Sequence, residues 1–300
     1  MLHHYPEPGV DCRLTDSRRW WQALSAPELR IVISEDEIEV FQFQRQWLPG
    51  GRMQMLDHQR YALAGDGQAV IPSAATWQAL HTLLAPLTGQ RWHVVVVLSN
   101  QYARWLVLPW QDQIQSLADK EAYYRHGLQL AFGGDMHDWP LRAQATAYGQ
   151  PTLINAMPGE LIATLHAVLA EYRLSPGMIL PAWTLSANQT LHMLRQRNLP
   201  LDGWVVCRES HTLTMACLMQ GHWQQIHQLP VDIRWQHTLH QTLCREQVMH
   251  PERAALPVLL PQASLSGVSA QGLAPFTVVD VQPSQGLGEA FHQTLRRRVT

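Results

Sequence analysis

Two short polar turns hold the residues best placed to do chemistry. Ser34-Glu35-Asp36-Glu37 separates the apolar segments 29–33 and 38–43. Arg208-Glu209-Ser210-His211 separates segments 204–207 and 212–219. Carboxylates at such turns have two readings. Glu35 and Glu209 could hold Mg²⁺, which prefers a few carboxylate and water oxygens. The plainer reading is that both stand in solvent, as turn carboxylates usually do.

Other chemistries fail on residue type or spacing. Lys120 is the only lysine, so no Gly-Lys-Ser/Thr phosphate loop can be written. Its neighbours Asp119 and Glu121 favour the charged amine, which argues against a Schiff base. The cysteines Cys12, Cys207, Cys217 and Cys244 form no Cys-x-x-Cys pair. Cys207 and Cys217 fall on adjacent predicted strands and read as small core residues that could face each other. His237, His240 and Cys244 share a helical face and could bind zinc, but Leu239 and Leu243 claim that helix for the core, so no metal site is assigned. No Gly-x-Ser-x-Gly elbow exists for a serine nucleophile. The central run 94–98 lacks the carboxylates a metal-dependent nuclease needs.

The elements that must position the turns can be read from periodicity. Segments 29–33, 38–43 and 52–63 read as strands, Ser73 caps a helix, and 93–98 reads as a buried strand. The same order returns with 204–207, 212–219, 223–230, a helix over 232–250, and a strand over 256–260. Gln220-Gly221 marks a hairpin inside the second copy. Between the copies lie strands at 102–110, 141–148 and 152–157, and helices at 118–132, from Pro158-Gly159 onward, and at 188–197. A strand at 276–281 precedes Gly286-Leu287-Gly288 and a closing helix that ends in Arg296-Arg297-Arg298. The expected organisation is an arm over 1–28, a first lobe with insertions over 29–202, and a second lobe over 203–300.

The chain has 300 residues, 46% of them hydrophobic, and a formal net charge of −2. A sizeable core is therefore available, and nucleic acid is not an expected partner. No apolar run approaches the roughly 20 residues of a membrane span. A cytoplasmic location with reduced thiols is the expectation. Among 12 tryptophans, Trp20-Trp21, Trp105, Trp110, Trp139 and Trp235 are candidate interface anchors.

Two stretches, 96–110 and 203–223, resemble the actin-like family that includes the pilus proteins PilM and MshI and the cytoplasmic domain of the type II secretion protein GspL. The resemblance implies an α/β fold of the actin-like, RNase H-type duplication, with a mixed sheet flanked by helices in each lobe. It also implies a role in a pilus or secretion platform, peripheral to the inner membrane. The partners it implies are inner-membrane assembly proteins, with an assembly ATPase among the candidates.

An actin-like nucleotide site would need glycine in both turns, so that backbone N–H groups can approach phosphates. Neither Ser34-Glu35-Asp36 nor Arg208-Glu209-Ser210 contains one. Pro261-Gln262 stands where adenosine-binding glycines are expected, and Gly286-x-Gly288 is the one substitute. Ser34, Glu35, Asp36, Glu209, Ser210, Gly286 and Gly288 are therefore the candidate residues of a vestigial nucleotide cleft. The expectation is a non-catalytic scaffold without a cofactor. The alternatives are a divergent ATPase using ATP and Mg²⁺, and a small-molecule kinase on the same fold.

Overall fold

The computed structural model describes residues 27–45, 53–63, 69–89, 91–114, 116–261 and 270–281. The expected arm over 1–28 falls almost wholly outside them, as do Gly286, Gly288 and the expected closing helix.

The first lobe begins with β1 (Glu28–Ile33), β2 (Glu37–Arg45) and β3 (Met53–Ala62), an antiparallel meander. Helix α1 (Ala74–Leu84) follows, capped by the Ser73 side chain, which accepts from the Thr76 N–H. Strands β4 (His93–Leu98) and β8 (Pro176–Pro181) complete the sheet in parallel. Its order is β3-β2-β1-β4-β8. The second lobe repeats this plan with β9 (Gly203–Arg208), β10 (Thr212–Met219), β11 (His222–Pro230), β12 (Val258–Leu260) and β13 (Val278–Asp280). The order is β11-β10-β9-β12-β13, with the same antiparallel and parallel pairings. The two sheets thus share one strand order and one pattern of pairing, a duplication of topology.

Gln220 and Gly221 both adopt positive φ, 51° and 79°. That geometry matches strand twist in a tight hairpin and accounts for the β10–β11 connection. Along β9, Trp204 and Val206 enter one core while Val205 and Cys207 enter another. A strand buried on both faces reads as an unbroken apolar run, and the sequence has one there.

Between β4 and β8 the chain adds a small sheet, β5 (Arg104–Leu108), β6 (Leu141–Ala143) and β7 (Thr152–Ala156), in the order β5-β7-β6. Helix α2 (Leu117–Phe132) packs on it through Leu128, and α3 (Gly159–Glu171) returns to the main core. The strand expected over 141–148 is only Leu141–Ala143. Its pairing extends by one bond, from Gln144 N–H to the Leu153 carbonyl, before the turn at Gly149 (φ 76°).

The helix expected at 188–197 starts six residues earlier, as α4 (Ala182–Gln196). Trp183, Thr184 and Leu185 look strand-like in isolation. Tertiary packing overrides that preference. Trp183, Thr184, Ser186, Ala187, Gln189, Thr190, Leu191, Met193 and Leu194 are all buried, which places α4 inside the molecule. Helix α5 (Trp235–Met249) covers the outer face of the second sheet through Trp235, Leu239 and Leu243.

One core crosses between the lobes. It joins Leu29, Ile31, Val96 and Leu98 of the first sheet to Val205, Cys207, Ala216 and Leu259 of the second. Trp183 is its centre, with no exposed surface. The rings of Trp105 and Trp223 each pack against it at 4.9 Å and 63°, from the small sheet and the second lobe respectively. Edge-on geometry at that distance is favourable for aromatic pairs. Trp105 and Trp235 are core residues, so neither is free to anchor a partner. Cys207 and Cys217 enter opposite faces of the second sheet and do not face each other.

Replacing Trp183 with alanine removes the ring on which three units converge. A loss of about 3–5 kcal/mol is expected for a buried tryptophan. Urea unfolding of Trp183→Ala against the parent chain measures it; a loss below about 1 kcal/mol would mean that the lobes do not depend on this stack.

Candidate functional site

The β1–β2 and β9–β10 turns are built alike and face each other. Ile33 pairs with Ile38 before the first turn, and Arg208 with Leu213 before the second. Ser34 N–H donates to the Glu37 carbonyl at 2.9 Å, and Glu209 N–H to the Thr212 carbonyl at 2.8 Å. Glu209 therefore corresponds to Ser34, not to Glu35. The two turn glutamates are thus offset by one residue in hairpin register.

Neither glutamate is a solvated turn residue, which corrects the plainer reading of the sequence. Glu35 is 3% exposed. Its Oε2 accepts from the His211 N–H and its Oε1 from the Thr212 hydroxyl, both in the opposite lobe. Asp36, beside it, lies 3.4 Å from His211 Nε2. Glu209 reaches the other way: its Oε2 accepts from the Asn100 N–H at 2.8 Å. Each lobe thus sends one carboxylate to a backbone N–H of the other. A charge-assisted hydrogen bond such as those on Glu35 contributes about 1.5–3 kcal/mol when shielded from water.

Asn100 was not singled out by type or spacing, yet it organises the site. It opens a 3₁₀ turn (Asn100–Tyr102) directly after β4 and is fully buried. Its Oδ1 accepts from the Trp183 N–H at 2.7 Å and its Nδ2 approaches Cys207 Sγ at 3.5 Å. Its carbonyl accepts from Gln228 Nε2 at 2.9 Å. The signal available in the sequence is a polar Ser-Asn step ending a buried strand, where the chain must satisfy its last backbone groups with side chains.

Of the remaining candidates, Ser34 is half-buried and Ser210 is exposed. The Arg208 guanidinium lies over the Trp235 ring at 5.1 Å. Pro261 contributes its carbonyl, which accepts from Gln189 Nε2 of α4 at 2.7 Å. His240 and Cys244 approach each other, with 3.7 Å between Nδ1 and Sγ, and His240 Nε2 lies 2.9 Å from the Ala274 carbonyl. Among the described residues no three His, Cys, Asp or Glu side chains come together as a metal site.

Away from the turns, a cavity of about 250 Å³ lies between β11 and α5, lined by Gln225, His227, Thr242, Arg245, Glu246 and Met249. Buried Glu246 meets His227 Nε2 at 3.0 Å and Gln225 Nε2 at 3.2 Å there. Burial pulls the His227 ring below its ordinary pKa, while Glu246 pulls it up. These groups satisfy one another and point to structure, not to a reaction.

The electrostatics of the turns are unusual. Burial pushes the Glu209 carboxyl up to about 8, and the nearby charge of Glu35 adds to the effect, while donors on Asn100 and Ser99 pull it down. Two carboxylates brought together in a closed space cannot both ionise cheaply. The pair can hold the lobes shut. It offers no nucleophile with an adjacent base.

The described chain has the actin-like fold: two lobes of equal strand order, facing each other across paired hairpin turns. Solved structures share it. The chain is similar to the PilM–PilN type IV pilus biogenesis complex at 15% identity, with a TM-score of 0.60 over 90% of this chain and 98% of that one. It is similar to the cytoplasmic domain of EpsL, an inner-membrane component of the Vibrio cholerae type II secretion system, at 13% identity and TM-score 0.57, over 91% and 95%. A Bacteroides thetaiotaomicron protein with an actin-like ATPase fold matches at 11% identity and TM-score 0.57, over 91% and 96%. No protein-family model and no curated protein matches the sequence. Among the described residues no helix is long and apolar enough to cross a membrane.

The raised Glu209 carboxyl makes a signed prediction. Between its ordinary 4.5 and about 8, the folded chain holds a proton that the unfolded chain releases. This part of the stability is full below the ordinary carboxylate range and is lost as pH rises through about 8. Glu209→Gln keeps an acceptor for Asn100 and removes the titration. Urea midpoints across the neutral range should fall with pH more steeply in the parent than in the variant. Parallel curves would show that Glu209 ionises normally.

Proposed function

We propose that the chain is a non-catalytic actin-like scaffold of a type IV pilus or type II secretion-like inner-membrane platform, which holds the cytoplasmic segment of a membrane partner. The observation that carries this reading is that a backbone N–H of each lobe, His211 in the β9–β10 turn and Asn100 after β4, is occupied by a carboxylate of the other lobe. Triphosphate binding between actin-like lobes requires backbone N–H groups free to meet phosphate oxygens. Here the His211 and Asn100 N–H groups are taken by Glu35 and Glu209. Glycine is also missing from both turns, so side chains stand where phosphates would approach.

The likeness to PilM and to the EpsL cytoplasmic domain supports the choice of machine. On this reading the protein sits in the cytoplasm against the inner membrane, tethered through its partner. Residues 29–202 and 203–300 act as the two lobes. Partner binding on such a scaffold uses a preformed surface, and an extended tail adding to a strand edge is one chemically sufficient mode.

Two measurements decide it. Melting with millimolar Mg-ATP should leave the midpoint unchanged, whereas tight binding at a hundredfold excess over Kd adds about 2.7 kcal/mol. Titration with a peptide of the cytoplasmic tail of a PilN-like protein from the same organism should show saturable binding. A midpoint raised by Mg-ATP would instead favour the alternative, a divergent ATP-binding protein or ATPase.

A further inference from the structure

At the end of the small sheet away from Trp183, two loops meet on one carboxylate. The Leu108–Thr152 pair is the last between β5 and β7 there. Beyond it, Trp110 and Asp112 follow β5. Tyr148 stands in the turn before β7, where the Gln150 N–H donates to the Ala147 carbonyl at 3.2 Å. Asp112 Oδ1 accepts from Trp110 Nε1 at 2.8 Å and from the Tyr148 hydroxyl at 2.7 Å. The two rings lie 4.9 Å apart at 60°. Tyr123 of α2 steadies the first loop by donating its hydroxyl to the Pro109 carbonyl at 3.1 Å. Tyr148 nevertheless keeps 79% of its surface exposed. The rings are thus held in a set orientation while much of their surface stays in water. A tie that served only to close the loops would be expected to bury the ring it holds, because apolar ring surface gains by leaving water.

The geometry points to this cluster as a docking site for a cationic side chain, arginine or lysine, carried by the cytoplasmic segment of a membrane partner. Aromatic faces attract a cation through the ring quadrupole, tryptophan best of all. A carboxylate where the two rings meet adds a full negative charge. The bonds from Trp110 and Tyr148 hold the Asp112 carboxyl below its ordinary range, so it is charged at neutral pH. Among the described residues Asp112 has these two neutral donors and no Lys, Arg or His in an ion pair with it. Lys120 Nζ stands over the Trp110 ring at 5.9 Å, the outer limit of such contacts. Its neighbour Asp119 offsets that charge, so Asp112 sets the sign of the patch. Trp and Tyr are favoured interface anchors because they bring large, rigid area with little to order on binding. The source of the cation rests on the scaffold reading: cytoplasmic segments beside a membrane span carry an excess of Lys and Arg. An anionic lipid surface would instead be repelled by Asp112.

The test follows indole N–H signals of the full chain by NMR, with Trp110→Phe identifying the Trp110 signal by its loss. Two probes are titrated: an acetylated, amidated Gly-Arg-Gly-Arg-Gly peptide, and the same peptide with citrulline for arginine, which keeps the shape and removes the charge. The arginine peptide should shift the Trp110 signal saturably, and less tightly as salt rises. The citrulline peptide should leave it in place. Asp112→Asn and Tyr148→Ala should each weaken the arginine peptide at least about threefold. Both positions are exposed, so both variants should melt close to the parent. No shift, equal shifts by the two peptides, or undiminished binding by Asp112→Asn would overturn the proposal. Should either variant not fold, Lys120→Gln removes the nearby positive charge and should bind the arginine peptide at least as tightly as the parent; weaker binding overturns it. Sedimentation with phosphatidylethanolamine–phosphatidylglycerol vesicles covers the other source of cations: vesicle binding that Asp112→Asn abolishes would replace the protein partner with a membrane and sink the proposal. The two readings fail separately. A parent chain blind to the arginine peptide sinks the site, while one that answers to Mg-ATP sinks the scaffold and leaves the site standing.

Discussion

The arrangement of the two lobes depends on an exchange of carboxylates. Glu35 leaves the first lobe for the second, and Glu209 leaves the second for the first. Each glutamate ends on a backbone N–H at a turn, where regular strand pairing has run out of partners. A single contact of this sort would act as a pivot. Two contacts running in opposite directions oppose both separation and sliding of the lobes. The cost is that the two carboxylates stand near one another at a closed seam, where burial and the charge of Glu35 both raise the proton affinity of Glu209.

Behind the exchange lies a second, apolar connection. Trp183 holds Trp105 and Trp223 edge-on, so the small inserted sheet and the second lobe meet on one indole. Asn100 links the two systems. It receives Glu209 on its N–H, the Trp183 N–H on its side-chain oxygen, and Gln228 on its carbonyl. Polar turn chemistry and aromatic packing are therefore coupled through one fully buried asparagine. Networks of this kind favour one arrangement because their hydrogen bonds are met together in a single geometry.

Much of the scaffold was legible from the sequence. Unbroken apolar runs gave β4 and β9, Gln220-Gly221 gave the β10–β11 hairpin, and Ser73 gave the start of α1. The repeated order of elements led to the duplicated sheets that the structure contains. The site was legible only in part. The turns were identified, but nothing in a local pattern says whether a turn carboxylate points into water or into another lobe. That outcome is set by a partner more than 100 residues distant, and periodicity carries no such information. The same limit explains Asn100, whose importance comes wholly from tertiary neighbours. It also explains the late start assigned to α4, because Trp183-Thr184-Leu185 has strand-like preferences until two sheets enclose it.

Helix α4 has a composition uncommon for an element enclosed so fully. Ser186 Oγ meets Cys207 Sγ at 3.4 Å, Gln189 reaches the Pro261 carbonyl, and the Trp183 N–H donates to Asn100 Oδ1 at 2.7 Å, each outside the helix. A greasy rod between two sheets could roll by tens of degrees at little energetic loss, because dispersion forces lack direction. A rod studded with hydroxyl and amide groups cannot, since each small rotation strands several donors at once. The helix therefore acts as a keyed shaft, setting the angle between the halves and not merely their spacing. Any surface that spans both halves inherits that fixed angle as part of its shape.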